Sequence, residues 1–304
     1  MTVRRRLVLV LVLALSAACK SRAPSPSLAP PEPVSSAAGS SGRTPCGGLG
    51  CMQYDSPLDA FRDALAGDPR VVSIGEAHAP KGATVASSAK RFTESLLPAL
   101  QGHASDLLLE LMNPPTGCGA RVAEVKKKQE VVTSHQSKED QNEYVAMGEA
   151  ARRMGIVPDL LRPSCADIDG IEDAGDDAID TSLETIERLT EKKVKELVDR
   201  DANTKGEEGK VVVTYGGAIH NDPAPAPDRR AWSFGPAISS YVNGRYVAID
   251  LYVPEFIDGS DAWKKLVWYA YYDPAKLGAK TTLFRLREGS YVILFPRARS
   301  VVGE

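Results

Sequence analysis

The chain lacks several motifs that would assign it to a large enzyme class. It has no Gly-x-Ser-x-Gly, which argues against a serine α/β-hydrolase. It has neither Gly-x-Gly-x-x-Gly after its first strand-like segment nor a phosphate-binding Gly-Lys-Ser/Thr, so nucleotide binding has no support. No Cys-x-x-Cys-His is present, which excludes covalent attachment of a c-type haem. Only four histidines occur among 304 residues, so histidine chemistry has few candidate positions.

Basic charge and long apolar runs are also scarce. Residues 1–18 contain three arginines and no acid; without them, 34 basic and 40 acidic residues remain, a net charge of −6. A nucleic-acid interface needs a basic surface, so we expect no nucleic-acid partner. Beyond the N-terminus, no apolar run reaches the roughly 20 residues of a membrane-spanning helix.

The N-terminal segment predicts export. Residues 1–19 combine three arginines, an apolar segment and a Ser-Ala-Ala-Cys ending, which is typical of a secretory signal. The ending resembles a bacterial lipoprotein signal, which implies acylation of Cys19 and a lipid anchor in the cell envelope. Lys20 follows in place of aspartate, and this favours the outer membrane. Ordinary cleavage after Ala18 is the alternative. Residues 20–45, rich in Ser, Pro and Ala, predict a disordered tether.

Four cysteines follow the tether, and an even number in an exported chain suggests two disulfides. Pairing the two nearest cysteines, Cys46 and Cys51, is the simplest arrangement and leaves Cys118 with Cys165. The sequence does not fix the connectivity, and all three pairings stay open. A zinc site of four cysteines is the less favoured interpretation in an oxidising compartment.

Residues 46–304 predict one α/β domain. Strand-like and helix-like segments alternate at least four times, which indicates a mostly parallel central sheet with helices on both faces. Strand-like segments lie close together in the last third, so we expect antiparallel strands toward the C-terminus. The predicted strands are 71–74, 106–111, 156–161, 210–215, 244–251 and 290–295, and the main predicted helices are 84–101, 119–131, 137–154, 181–203 and 261–272.

Two strand ends share one pattern. Val71-Val-Ser-Ile-Gly-Glu-Ala-His78 and Val211-Val-Val-Thr-Tyr-Gly-Gly-Ala-Ile-His220 each run from a β-branched segment through glycine to histidine. Between them, Glu110 is the carboxylate of another strand-like segment. We expect the first chain segment to leave its strand at Gly75 and to present Glu76 and His78 in one turn. Because the carboxyl ends of parallel strands form the ligand edge of open sheets, these groups should meet there.

Two imidazoles and two carboxylates suit a divalent ion. His78, Glu110 and His220 are the predicted ligands of Zn²⁺ or Mn²⁺, with Glu76 as the base that takes a proton from water. A metal-free alternative uses the Glu76–His78 pair as general base. The structural alternatives are a loop histidine at 220 bonded to Asn221 or Asp222, and a buried Glu110 paired to an arginine such as Arg162. His135 is a weak further candidate for the site.

At these residues the chain resembles the ChaN/Tiki/TraB/erythromycin-esterase-like superfamily. Ile74-Gly-Glu-Ala-His78, Leu109-Glu110 and Gly216-Gly-Ala-Ile-His220 carry the resemblance. It implies an α/β sandwich with these motifs at one end, and a function as metal-dependent protease, ester hydrolase or haem-binding lipoprotein. The opening motif and the lipoprotein signal are similar to the ChaN-like branch. The resemblance therefore implies that the Glu/His cluster binds a divalent metal or a small-molecule or peptide ligand. In the catalytic branches it further implies hydrolysis of an ester or peptide bond.

Haem is the alternative cofactor, with Tyr215 or His220 as its axial ligand. The aromatic residues between Trp263 and Tyr272 would supply an apolar face, unless they form the core face of one helix. A third hypothesis is a periplasmic interaction module whose site is vestigial.

Overall fold

The computed structural model describes residues 42–133, 136–137, 139–257 and 261–298. Cys19, most of the predicted tether and His135 lie outside these residues. Within them, nine strands form one sheet. The strands are β1 (Thr44–Pro45), β2 (Met52–Tyr54), β3 (Val71–Glu76), β4 (Ala104–Met112), β5 (Val157–Leu161), β6 (Val211–Gly217), β7 (Tyr246–Tyr252), β8 (Thr281–Arg287) and β9 (Ser290–Leu294).

The strand order is β1-β2-β8-β9-β7-β3-β6-β4-β5. The six strands from β9 to β5 pair in parallel, whereas β8, β2 and β1 complete the other side with antiparallel pairs. The predicted α/β class, with its mostly parallel sheet and antiparallel C-terminal strands, is confirmed. The sequence reading missed the two N-terminal strands that join the same antiparallel side.

The α-helices cover both faces of this sheet. In chain order they are α1 (Pro57–Ala64), α2 (Ser88–Arg91), α3 (Gly119–Thr133), α4 (Asp140–Arg153), α5 (Cys165–Asp173), α6 (Ala178–Ala202), α7 (Gly235–Tyr241), α8 (Pro254–Ile257), α9 (Asp261–Lys264) and α10 (Pro274–Leu277). A π-helix (Phe92–Leu96) and five 3₁₀ segments add to them: Leu97–Leu100, Thr116–Cys118, Gly175–Asp177, Pro227–Trp232 and Val267–Tyr271. Across the described part of the chain, no helix combines the length and apolarity that a membrane span requires.

Two predicted helices differ from the observed ones. The segment predicted as helix 84–101 starts at Ser88 and changes to π and then 3₁₀ turns. Pro98 lies in the last of these turns, where proline has no amide hydrogen to donate to a continuing α-helix. The predicted helix 261–272 is a short helix followed by the 3₁₀ segment, and its Trp268 packs in a core cluster with Tyr252 and Phe284.

Alternation along the central strands produces two core layers. Val72 and Ile74 of β3 face the cluster that contains α1 and α4 side chains, whereas Val71 faces the cluster that contains α6 and α7 side chains. Leu108 of β4 also belongs to the second cluster. This parity decides from which face each polar residue at the strand ends approaches.

A group of charges lies at the amino end of the sheet, and we call it the arginine–aspartate cluster (Arg70, Asp106, Arg200 and Asp201). The Arg200 guanidinium donates to Asp106 and, over 2.6 Å, to Asp201. Arg70 lies 3.6 Å from the other Asp201 oxygen, which also accepts a 2.6 Å hydrogen bond from Ser105. Two positive and two negative side chains thus join the end of α6 to the start of β3 and β4.

Two disulfides join Cys46 to Cys51 and Cys118 to Cys165. The second links the loop after β4 to the start of α5, which follows β5. It therefore lies on the side of the sheet where the parallel strands end.

Candidate functional site

Strand β3 extends further than predicted. It continues through Gly75 and ends at Glu76, so the expectation that the chain leaves the strand at Gly75 is wrong. The glycine is needed for close packing: a Cβ there would lie 2.5 Å from Asp250 Oδ1 and 2.7 Å from Ala218 Cα. Both distances are shorter than van der Waals contact, so only glycine lets β7 and the turn after β6 approach β3 here.

Glu76 is held by three donors. His78 Nδ1 lies 2.9 Å from Oε1, the Tyr144 hydroxyl donates to the same oxygen over 2.9 Å, and the Tyr215 hydroxyl donates to Oε2 over 2.6 Å. Burial, together with the charge of Glu76, raises the pKa of both tyrosines well above its usual value, so they stay protonated donors. Glu76 is 4% exposed, and these bonds compensate for its burial.

His78 is the more accessible member of this pair, with 28% of its side chain exposed. Burial lowers its pKa, but the hydrogen bond and charge of Glu76 and the charges of Glu110 and Asp140 outweigh that effect and raise the pKa to about 9. Because the carboxylate of Glu76 accepts from Nδ1, that nitrogen carries a hydrogen. Nε2 is left to face the space beyond the strand ends.

Glu110 rests on the two glycines that end β6. Its Oε2 accepts a 2.7 Å hydrogen bond from the Gly217 amide. A Cβ on Gly216 would lie 2.1 Å from the same oxygen, so the carboxylate occupies the space that a side chain would fill. In the second motif, Gly216 therefore leaves space for the carboxylate of the neighbouring strand, and Gly217 donates a hydrogen bond to it. Arg162 does not pair with Glu110; within the described residues the ion-pair contact of Glu110 is with His220.

His220 is almost fully buried, at 2% exposure. Its Nδ1 lies 2.6 Å from the Trp232 carbonyl oxygen, which can only accept, so Nδ1 carries a hydrogen here too. Its Nε2 lies 3.7 Å from Glu110 Oε1. The structural alternative, a loop histidine bonded to Asn221 or Asp222, had the wrong partner: Nδ1 bonds the Trp232 carbonyl in the segment before α7.

The two pairs converge from opposite faces of the sheet. Glu76 continues the β3 row that faces α4, whereas Glu110 continues the β4 row that faces α6. They meet at Gly217, where a Cβ would lie 3.7 Å from His78 Nε2, 3.8 Å from Glu110 Oε2 and 3.8 Å from His220 Cδ2. All three atoms lie within 3.8 Å of that one point, so no two of them can be more than twice 3.8 Å apart. The sequence prediction that these side chains come together agrees with this geometry.

Helix α4 adds two carboxylates that the sequence reading did not assign to the site. The pKa of Asp140 is raised to about 7. Burial is the main cause, the charges of Glu76 and Glu143 add to it, and the charge of His78 opposes it. Burial also raises the pKa of Glu143, which accepts a hydrogen bond from Ser87. One signal was present: Asp140, Glu143 and Tyr144 follow i, i+3, i+4 spacing, which puts them on one side of a helix.

The donor types fit a divalent cation in one respect. Metal-binding histidines usually donate their second ring N–H to a carboxylate or carbonyl, as both histidines do here. In the described residues, however, no group of three or more His, Cys, Asp and Glu side chains is already close enough to hold a metal ion. Donors at the present spacing would have to move inward around the ion.

The residues proposed for haem lie in two separate places. The Tyr215 hydroxyl is bonded to Glu76, and the residue is 1% exposed. Trp268 and Tyr272 pack with Tyr252 in the core cluster near β8 and β9. This arrangement favours a structural role for Tyr215 and for the aromatic segment. His103 is exposed in the turn before β4, at the opposite end of the strands from His78 and His220.

Comparisons with known proteins leave the family open. No protein-family model matches the chain, and no curated protein matches it. A solved structure of a Bacillus cereus protein is similar at 9% identity, with 79% of this chain and 91% of that chain covered and a TM-score of 0.39. A likeness at this level carries no argument about activity.

Proposed function

We propose that this chain is an exported, metal-dependent hydrolase that holds a divalent ion, Zn²⁺ or Mn²⁺, with His78, Glu110 and His220. The carrying observation is that two imidazoles, each fixed through Nδ1, approach the space that contains the Glu110 carboxylate. Such a fixed tautomer leaves Nε2 as the ligating atom. When bound, the ion would lower the pKa of water and polarise a substrate carbonyl.

The local charge supports a cation. The hydrogen bond and charge of Glu76, with the charges of Glu110 and Asp140, raise the pKa of His78, so this imidazole lies in a region that favours positive charge. A divalent ion would take the place of that proton on Nε2. Metal affinity should therefore fall as the pH is lowered, because proton and metal compete for the same nitrogen.

Glu76 has the geometry of a positioning residue. Its two oxygens accept three hydrogen bonds, so little accepting capacity is left for a proton from water. We propose that it orients His78 and raises the basicity of the ring, in place of the role as base that the sequence suggested. Glu110, with 18% of its side chain exposed, keeps its proposed role as the carboxylate ligand.

The test is metal binding by the purified full chain. After chelation, the protein is dialysed against Zn²⁺ or Mn²⁺ and the bound metal is measured by mass spectrometry. We expect one ion per chain and a loss of affinity of at least tenfold in His78→Ala, Glu110→Ala and His220→Ala. Glu76→Gln should lower affinity by about 10–100-fold, as expected for a residue that orients a ligand. His103→Ala is the matched control.

The same samples distinguish the other hypotheses. Hydrolysis of a chromogenic ester or a peptide that depends on added metal and on His78 supports the enzyme. A Soret band with haemin that is lost in His220→Ala would instead support a haem-binding lipoprotein. Absence of metal binding, haem binding and hydrolysis would leave an interaction module. The proposal fails if metal content is the same in the His78 and His103 variants.

The membrane anchor is a separate part of the proposal. We propose that Cys19 is acylated and that the protein is retained in the cell envelope; the two disulfides are compatible with that oxidising location. Metabolic labelling with a fatty-acid probe tests it. Label should be incorporated in the parent chain and lost in Cys19→Ser.

A further inference from the structure

A second concave surface lies between α4 and the edge of the sheet. This groove has a volume of about 340 Å³, within the range of small-molecule sites. Its apolar lining comes from Leu109 and Leu111 of β4, Val145 of α4 and Leu160 of β5. We call it the α4–β5 groove.

One side of α4 forms a wall of this groove. Val145, Gly148, Glu149 and Arg152 follow i, i+3, i+4, i+7 spacing, which places them along one stripe of the helix. Gly148 brings the helix close to the sheet, since a Cβ there would lie 3.3 Å from a Leu109 methyl group. Val145 is 54% exposed, so its side chain is open to a molecule in the groove.

Two arginines line the same groove. Arg152 and Arg162 are both exposed, and no carboxylate of the described residues lies within ion-pair distance of either. This differs from Arg121, Arg188 and Arg245, each of which pairs with an aspartate. Glu149 is the only acid among the lining residues, so the groove carries a net positive charge.

We propose that the α4–β5 groove binds a medium-chain carboxylate. The apolar lining would contact the alkyl chain, and the two guanidinium groups would donate to the carboxylate. Both features are needed: an uncharged alkyl chain would leave the arginines unpaired, and a small anion would leave Val145 and the half-buried Leu111 and Leu160 uncovered. The ligand is therefore amphipathic and anionic.

This groove is distinct from the candidate metal site. Leu109 and Leu111 precede and follow Glu110 in β4, so their side chains point to the opposite face of the sheet. A molecule in the groove would not contact Glu110. The proposal stands whether or not the chain binds a metal.

Isothermal titration of the full chain with decanoate, below its micelle concentration, tests the proposal. We expect one site per chain. Arg152→Gln and Arg162→Gln should each weaken binding by about tenfold, as expected for a lost charge-assisted hydrogen bond. Arg153→Gln, an exposed arginine outside the groove, is the matched control. Glu149→Gln should strengthen binding, and Val145→Trp should block it by filling the groove.

Decanol is the probe for the alkyl chain alone and should bind at least tenfold more weakly than decanoate. The proposal is overturned if decanoate does not saturate a site, if decanol binds equally well, or if both groove arginine variants match Arg153→Gln. It is also overturned if the chain is a dimer that Val145→Trp dissociates, because a second copy would then occupy the groove.

Discussion

The carboxylates at the two ends of the central strands have different partners. At the amino end, the arginine–aspartate cluster sets two guanidinium groups against two carboxylates. At the carboxyl end, Glu76 and Glu110 have histidines as their ion-pair partners. An arginine is always charged and satisfies an acid permanently, whereas an imidazole can exchange its proton for another ligand. The comparison separates charges that hold the fold from charges that are available for binding.

Removing an acid from the amino end should have the largest effect on stability. Asp201 is fully buried and accepts from Ser105, so Asp201→Ala leaves the buried Ser105 hydroxyl without this acceptor and the buried Arg70 without its nearby carboxylate. We expect the free energy of unfolding in urea to fall by about 3–5 kcal/mol. Asp176→Ala, at an exposed position, should change it by less than about 0.5 kcal/mol. Equal effects in the two variants would show that the cluster does not stabilise the fold.

At the carboxyl end, Gly216→Ala should affect both stability and the site. The added methyl group would overlap Glu110 Oε2 and approach Glu110 Cβ to 2.8 Å, so the carboxylate must leave its position. We expect a loss of about 1–3 kcal/mol in unfolding free energy, as for other overpacked sites. Metal affinity should fall at least tenfold. Retained affinity would mean that Glu110 is not a ligand.

Gly217→Ala sharpens the comparison because it separates binding from folding. Its methyl group would meet the site atoms at 3.7–3.8 Å, which is ordinary contact, so stability should stay within about 1 kcal/mol of the parent. The methyl group nevertheless occupies the space between His78 and Glu110. We expect metal affinity to drop about tenfold, measured by the same dialysis. If affinity is unchanged, the ligands do not meet at this point.

The smallest effect concerns Asp250, beside Gly75. Burial raises its pKa to about 7, even though Asn221 and Tyr252 donate to it. Since the folded pKa is above the unfolded value of ~3.9, ionisation disfavours the folded state above pH 7. That cost disappears as the pH falls from about 7 toward 4. When the pH is lowered from 8 to 5, the free energy of unfolding should therefore rise less in Asp250→Asn than in the parent chain. An equal rise in both would show that Asp250 does not contribute to the pH dependence of stability.

The strand ends were predictable because they obey a local rule. A β-branched run followed by glycine and histidine indicates that β3 and β6 end nearby, although β3 continues one residue past Gly75, and parallel strands bring such ends together. Glu110 was predicted on a different ground, as the carboxylate of another strand-like segment between these two. The contact of Glu110 with Gly216 and Gly217 could not be predicted, because a pair of glycines is as typical of a turn as of a close approach by a carboxylate from the next strand.

The site residues that α4 supplies could not be predicted from a local pattern of this kind. Tyr144 and Glu76 are 68 residues apart in the chain, and their hydrogen bond forms only once α4 has packed against β4 and β5. Strand β8 was missed although its second half, Phe284–Arg287, alternates apolar and charged residues as a half-buried strand does. The aromatic residues around Trp268 suggested one long helix, but their packing against Tyr252 and Phe284 divides the segment into shorter turns.

The Cys118–Cys165 bond closes a covalent ring of the chain that contains α3, α4 and β5. A protease that cuts the backbone once within this ring would produce two fragments that still migrate together on a non-reducing gel. Tyr144 lies inside the ring, so the disulfide would still connect it covalently to both fragments after the cut. A nicked molecule could thus keep its contact with Glu76, and only a reductant would release the pieces.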